Sequence, residues 1–304
     1  GITQVSMGQA RACTLDNAGT VRCWGSGYVG DVAQTNNSLL PVIVDSPTMG
    51  PAAQVYVGGE LGSHRTCALV ADGAAWCWGG GSTGACGNGV NACSRTPTAV
   101  SGGLTFTSLS VGGTHTCGVT SDGDLYCWGS ALDGKLGQGS TSGNWNTPQQ
   151  VLGVGGVGFL TDVTQVATGS DSTCALRSDG RVLCFGYGTS HSLGNGSTAS
   201  ISTPALVTGL TDADRLVCDS YDCLARKPDG TWVGWGNNFD NELGIVGTSP
   251  VPTPTQAAFG LELTDMAIDG SGACGIDAAG VAHCWGAGPL ALPLVTVLTM
   301  PPPN

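Results

Sequence analysis

The sequence predicts an all-β propeller built from four-stranded blades, and three observations carry that expectation. Cysteines are paired at one fixed spacing. A unit of about 51 residues recurs six times in 304. Turn residues cut each unit into four short strands, the pattern of a propeller blade.

The spacing comes first. Five of the cysteine pairs lie ten apart: Cys13/Cys23, Cys67/Cys77, Cys117/Cys127, Cys174/Cys184 and Cys274/Cys284. The other four are Cys86/Cys93 and Cys218/Cys223. An even count in which every cysteine has a local mate reads as a disulfide framework formed in an oxidising compartment. Zinc sites present C-x-x-C or H-E-x-x-H spacings, which are absent, so no metal is assigned. Six residues after the first cysteine of each ten-residue pair stands glycine: Gly19, Gly73, Gly123, Gly180 and Gly280. A three-residue hairpin loop ends in the left-handed region, where glycine is unstrained. With the loop at Asn17-Ala18-Gly19, Leu15 faces Val21, Thr14 faces Arg22 and Cys13 faces Cys23. That last pair is a non-hydrogen-bonded one, with Cα atoms about 4.5 Å apart, at the short end for a disulfide.

The first cysteines stand at 13, 67, 117, 174 and 274. Aligning Trp235-Gly236 with the other Trp-Gly dipeptides puts Leu224 in the fifth place. The chain is then one propeller domain, 1–304, with repeats at 1–54, 55–108, 109–162, 163–212, 213–265 and 266–304. Each repeat opens with a short strand ending in glycine, such as Val55–Gly58. The cysteine hairpin follows and closes on Cys-Trp-Gly, or on Cys184-Phe185-Gly186 in the fourth copy. A Gly-rich loop, as in Lys135-Leu136-Gly137-Gln138-Gly139, leads to a fourth strand such as Thr203–Val207. In the fifth copy Leu224 and Gly234 occupy the cysteine places, so Cys223 turns to the opposite face and pairs with Cys218 on the preceding strand. The last copy ends on Leu292-Pro293-Leu294-Val295, like Leu40-Pro41-Val42-Ile43 in the first.

The succession Cys/Ala-Leu, Asp-Gly, Trp-Gly, Leu-Gly-x-Gly resembles the regulator of chromosome condensation repeat, over essentially the whole chain. The resemblance implies a β-propeller, usually of seven blades. The repeat count favours six here, with seven as the alternative. The chain departs from the family in its paired cysteines and its acidity. Nuclear members that exchange nucleotide work in a reducing compartment and carry basic tails, so that activity is not expected. A secreted relative that inhibits β-lactamases implies that the scaffold serves as a rigid protein-binding face.

Composition narrows the function. Hydrophobic residues make up 41%, enough for a core, and the net charge is −12. No apolar run approaches the eighteen or so residues that a membrane span needs, so membrane insertion is not expected. No basic, apolar leader opens the chain, so any signal peptide has already been removed. Two lysines and eight scattered arginines do not make the cationic patch that a nucleic acid requires. His64, His115, His191 and His283, three glutamates and dispersed aspartates form no convergent acid–base set. Neither an enzyme nor a cofactor is expected. Asp72, Asp122, Asp179 and Asp229 precede the hairpin glycines and read as turn formers rather than calcium ligands. Trp24, Trp78, Trp128, Trp235 and Trp285 read as packing between blades. A light-sensing member of the family uses clustered tryptophans, but with arginine neighbours absent here.

The loops after Trp-Gly vary most, and variable loops on a rigid scaffold carry binding. Tyr28, Trp145, Tyr187, His191 and Phe239 are the candidate contacts of a secreted or cell-surface module that binds protein or glycan. Each also serves simply to cover the edge of its own blade. The alternative is a structural subunit of an extracellular fibre or surface layer, binding copies of itself. The apolar insert Val151–Leu160 is a second association patch if exposed. Asn36 and Asn195 head glycosylation sequons.

Overall fold

The computed structural model describes residues 1–287 except Gln34 and Leu61, together with the backbone of Val295 and Thr296. Six antiparallel four-stranded sheets form the blades of a β-propeller, each in simple up-and-down order. Blade 1 is β1 (Ile2–Gly8), β2 (Arg11–Asp16), β3 (Val21–Tyr28) and β4 (Asn36–Ile43). Blade 2 is β5 (Ala52–Gly58), β6 (Arg65–Val70), β7 (Ala75–Gly79) and β8 (Thr98–Ala99). Blade 3 is β9 (Phe106–Val111), β10 (His115–Thr120), β11 (Leu125–Ser130) and β12 (Asn144–Gln150). Blade 4 is β13 (Val163–Thr168), β14 (Ser172–Arg177), β15 (Val182–Gly186) and β16 (Ile201–Leu206). Blade 5 is β17 (Arg215–Asp219), β18 (Asp222–Arg226), β19 (Trp232–Gly236) and β20 (Val251–Gln256). Blade 6 is β21 (Leu263–Asp269), β22 (Gly272–Asp277), β23 (Ala282–Gly286) and β24 (Val295–Thr296). Of the expected final strand, Leu292, Pro293 and Leu294 lie outside the described residues.

The hairpin registers follow from the turn. Gly19, Gly73, Gly123, Gly180 and Gly280 all have φ between 79° and 83°, and Cys13 pairs with Cys23 across the β2–β3 ladder. The five ten-residue pairs and Cys218–Cys223 are disulfides with Cα atoms 4.1 Å apart. Cys86–Cys93 closes the loop of blade 2 with a Cα separation of 5.4 Å.

Period-two alternation gives every blade two distinct faces. The disulfide face looks toward the following blade: Cys13 Sγ lies 3.8 Å from Thr66 Oγ1, and Cys117 Sγ 3.9 Å from Thr173 Oγ1. The tryptophan face looks back. Trp78 clusters with Cys13 and Cys23, Trp128 with Cys67 and Cys77, Phe185 with Cys117 and Cys127, and Trp235 with Cys174 and Cys184. Trp285 packs on Leu224 and Leu243, the leucine standing where a cystine would be. Each indole also docks its N–H on a main-chain carbonyl of the preceding blade: Trp78 on Val29, Trp128 on Ala85, Trp235 on Ser192 and Trp285 on Glu242, at 2.8–3.2 Å. Phe185 has no N–H, and the corresponding carbonyl, of Lys135, is taken by the Thr173 hydroxyl at 2.8 Å.

Blade 6 and blade 1 do not repeat this interface. The innermost strands pack on one another in sequence from β1 to β21, but β21 and β1 share no comparable contact. Val5 is 58% exposed, whereas Val55, Leu109, Val166, Leu216 and Met266 at the same place are buried. On the other side of the seam Cys274 is exposed, whereas Cys13, Cys67, Cys117 and Cys174 are buried.

Candidate functional site

All blades run in the same sense, so the connections between first and second strands and between third and fourth strands emerge at one end of the propeller. Two sets of glycines make this end compact. Gly58 and Gly112 close the innermost strands, where a Cβ would fall 1.9 Å from Val111 O and 2.5 Å from Gly169 O. The glycines of Trp-Gly sit over the carbonyl that precedes the second strand. At Gly129 (φ 111°) a Cβ would be 2.6 Å from Thr114 O, and at Gly236 (φ 112°) 2.1 Å from Tyr221 O. Those carbonyls accept the N–H of the next residue, Ser130 and Asn237 respectively. Trp-Gly is therefore one device: the tryptophan anchors the blade behind, and the glycine lets the chain cross its own neighbouring strand.

The mouth of the central channel, a cavity of about 80 Å³, is lined by the glycine ends of four innermost strands together with Gln9, Glu60, Ser170 and Asp219. Asp219 Oδ2 accepts from Gly270 N at 2.7 Å. Burial, with Asp219 nearby, raises Asp269 above the usual carboxylate range. Among the described residues, no Lys or Arg forms an ion pair with Glu60, Asp219 or Asp269. Asp171 is held by the buried Lys135 ammonium, which also donates to Thr114 Oγ1 at 3.2 Å. Tyr187 and Tyr221 stand beside the mouth with ring centroids 6.2 Å apart. Burial first, then Asp171 and Glu60, push the Tyr221 phenol above its ordinary value.

Beneath the mouth lies a buried polar layer. Arg65 donates to the carbonyls of Gly112, Gly113 and His115. His115 Nε2 is 2.8 Å from Thr173 Oγ1. The Thr173 proton is committed to Lys135 O, so Nε2 is the donor and Nδ1 carries the lone pair; Nδ1 is buried without a partner. Burial, then the cations Lys135 and Arg65, hold His115 well below its usual value, in keeping with a neutral ring.

The five residues proposed from sequence are spread around this end of the molecule rather than gathered. Tyr28 closes β3, with Arg95 Cζ 4.5 Å from its ring centroid. Trp145 lies not in a loop but in β12, opposite Gly129, and is 41% exposed. His191 has φ 60° and a buried, unpartnered Nδ1. Phe239 is 78% exposed. Of the five, Tyr187 comes nearest the channel mouth, through its ring contact with Tyr221. Glu60, Asp171, Asp219 and Tyr221 were missed because the connection between first and second strands was read as a plain turn. Aligning those connections across the copies would have collected them. The 151–160 insert is buried at its ends, Val151 and Leu160, and exposes Val154, Val157 and Phe159.

The sequence profile of the regulator of chromosome condensation (RCC1) repeat matches residues 72–119, 122–176 and 179–217. Residues 72–217 of this β-propeller thus carry RCC1 repeats. It is 32% identical to the human E3 ubiquitin-protein ligase HERC2 over 130 residues, 41% of this chain and 3% of that protein. Among solved structures, yeast RCC1 (Prp20) bound to Kap60 superposes with a TM-score of 0.80 at 19% identity, covering 94% of this chain and 70% of that one. Prp20p from Saccharomyces cerevisiae, in a structure whose report concerns binding to Gsp1p and histones, gives 0.77 at 18% identity over 95% and 72%. The chain thus spans a small part of the curated relative it matches.

Proposed function

We propose that this RCC1-repeat propeller is a non-enzymatic, secreted or cell-surface recognition module that binds a protein through the end carrying the channel mouth. The observation that carries the reading is the mouth itself. Glu60 and Asp219 line it without a Lys or Arg ion pair among the described residues, with Asp269 close to Asp219 and the Tyr187–Tyr221 pair close to Glu60, in a molecule of net charge −12. Such a surface suits a basic protein segment, because opposite charge steers encounter and aromatic rings anchor it. The structural relatives named above, complexed with or studied for binding to other proteins, support a protein partner. Seven disulfides support an oxidising compartment.

The test is binding of a lysine-rich model peptide by calorimetry, for the native chain and for Glu60→Gln/Asp219→Asn. Loss of two facing charges should weaken binding about tenfold at low salt. No binding, or equal binding by the variant, rejects the acidic mouth as the contact. Binding of a glycan panel instead would move the site to the aromatic rim.

A further inference from the structure

Two cystines stack across the interface between blades 4 and 5. In the second strands of blades 2, 3 and 4 the residue before the cysteine is threonine, Thr66, Thr116 and Thr173. Thr66 and Thr173 rest their hydroxyls on the cystine of the blade behind. In blade 5 that place belongs to Cys223, so sulfur meets sulfur: Cys223 Sγ lies 3.7 Å from Cys174 Sγ. With Cys218 these two form a group whose Sγ atoms all lie within 4.8 Å of one another. Among the described residues no other three cysteine sulfurs come so close. The four sulfurs of the stack differ in access. Cys174, Cys184 and Cys223 are at most 2% exposed, whereas Cys218 is half-buried. Cys218 also holds the register position of Val57, Val111 and Thr168. Those residues line the channel mouth, as does Asp219, the next residue in the chain.

We propose that this stack is a thiol–disulfide exchange site whose substrate is a small aliphatic thiol entering by the channel mouth. The incoming thiolate bonds to Cys218 Sγ, the sulfur it can reach; the Cys218–Cys223 bond breaks and Cys223 leaves as the thiolate. Cys223 Sγ is already in contact with Cys174 Sγ. It bonds to Cys174, the Cys174–Cys184 bond breaks, and Cys184 takes up the proton given up by the incoming thiol. Two disulfides and one thiol stand on each side of the exchange, so neither an oxidant nor a reductant is consumed. The product carries the small thiol on Cys218 and a Cys174–Cys223 bridge from blade 4 to blade 5. A cavity of about 80 Å³ admits a short arm and excludes the cysteine of a folded partner. Glu60 and Asp219 in its lining favour a thiol that carries a positive charge, because opposite charge steers encounter in a field that salt screens. That preference rests on the acidic mouth described above; the exchange itself requires no protein partner.

The probe is cysteamine, a cationic aminothiol, incubated with the full unreduced chain at mildly alkaline pH. The reaction is quenched in acid, the chain is denatured in excess N-ethylmaleimide, and disulfides are mapped by peptide mass without reduction. The expected map has cysteamine on Cys218, a Cys174–Cys223 cross-link and maleimide on Cys184. Half-buried Cys93 and Cys284 and exposed Cys274 are internal controls, because exchange there leaves the thiol on the direct partner. At equal thiolate concentration and low salt, cysteamine modifies Cys218 about tenfold faster than 2-mercaptoethanesulfonate, and the ratio falls as salt rises. In Cys174→Ala/Cys184→Ala the Cys223 thiolate has no second cystine to attack and expels the adduct instead, so the yield at Cys218 falls about tenfold. The wild-type map decides the question by itself if that variant does not fold. Two results overturn the proposal: no adduct at Cys218, or an adduct there with the free thiol on Cys223 and Cys174–Cys184 intact. An anionic thiol that reacts as fast overturns the cationic substrate class. Binding of the lysine-rich peptide is measured separately, so this proposal and the preceding one fail independently.

Discussion

The indole of Trp285 donates to the main-chain carbonyl of Glu242 at 2.8 Å and joins blade 6 to the loop of blade 5. Trp24, at the same place in blade 1, makes no such bond among the described residues. Trp285→Phe keeps an aromatic ring but orphans a buried carbonyl, which costs about 1–3 kcal/mol. Trp24→Phe, at a half-buried indole with no such bond to lose, should cost less. Urea unfolding of both variants decides it, and equal losses would contradict the open seam.

The Glu242 side chain sets a pH dependence. Its oxygens accept from Phe239 N and Asp240 N, and the carboxyl lies against Asp222. Burial, then this carboxylate, raise Asp222 to about 8. The native state therefore holds a proton that the unfolded chain releases near pH 4, and the contribution to stability is lost as pH rises through about 8. His115 acts in the opposite sense: its lowered value costs stability as pH falls below about 6.5. Asp222→Asn keeps an acceptor for Asn238 N and supplies a permanent donor to Glu242. It should flatten the alkaline limb of a plot of Tm against pH; profiles parallel to the wild type would refute the shared proton.

The cystines of the hairpins act on the unfolded chain. Replacing Cys117 and Cys127 together by alanine releases a loop with a sequence separation of ten and should cost about 3 kcal/mol. Thiol titration of the unreduced, denatured wild type should find no free thiol, matching the absence of free cysteine.

Gly129→Ala places a methyl group 2.6 Å from Thr114 O at φ 111°. Strain and clash together should cost more than about 2 kcal/mol. Gly143, with φ 95° and nothing within 4 Å, carries the conformational part alone, so Gly143→Ala should cost less. Thermal melts of the pair separate crowding from backbone preference.

Much of this protein is local and therefore legible in its sequence. The hairpin glycines and the ten-residue spacing define the register that brings Cys13 to Cys23. The displaced Cys223 points to Cys218 by alternation alone, and the repeated Trp-Gly marks where one blade meets another. These features depend on turn chemistry and a period of two, which operate within about a dozen residues. Trp145 was placed in a loop because the extent of β12 depends on pairing with β11 rather than on its own Asn- and Gln-rich residues.

What only the tertiary structure decided is how the repeats meet around the channel. Glu60, Asp171, Asp219 and Tyr221 come from three different repeats, and their convergence depends on the angle between blades, which no single repeat encodes. The proton on Asp222 exists because burial brings a second carboxyl to it. The same holds for the seam: Val5 and Val55 are the same residue in the same repeat position. One is exposed and the other buried because burial depends on whether a neighbouring blade is present.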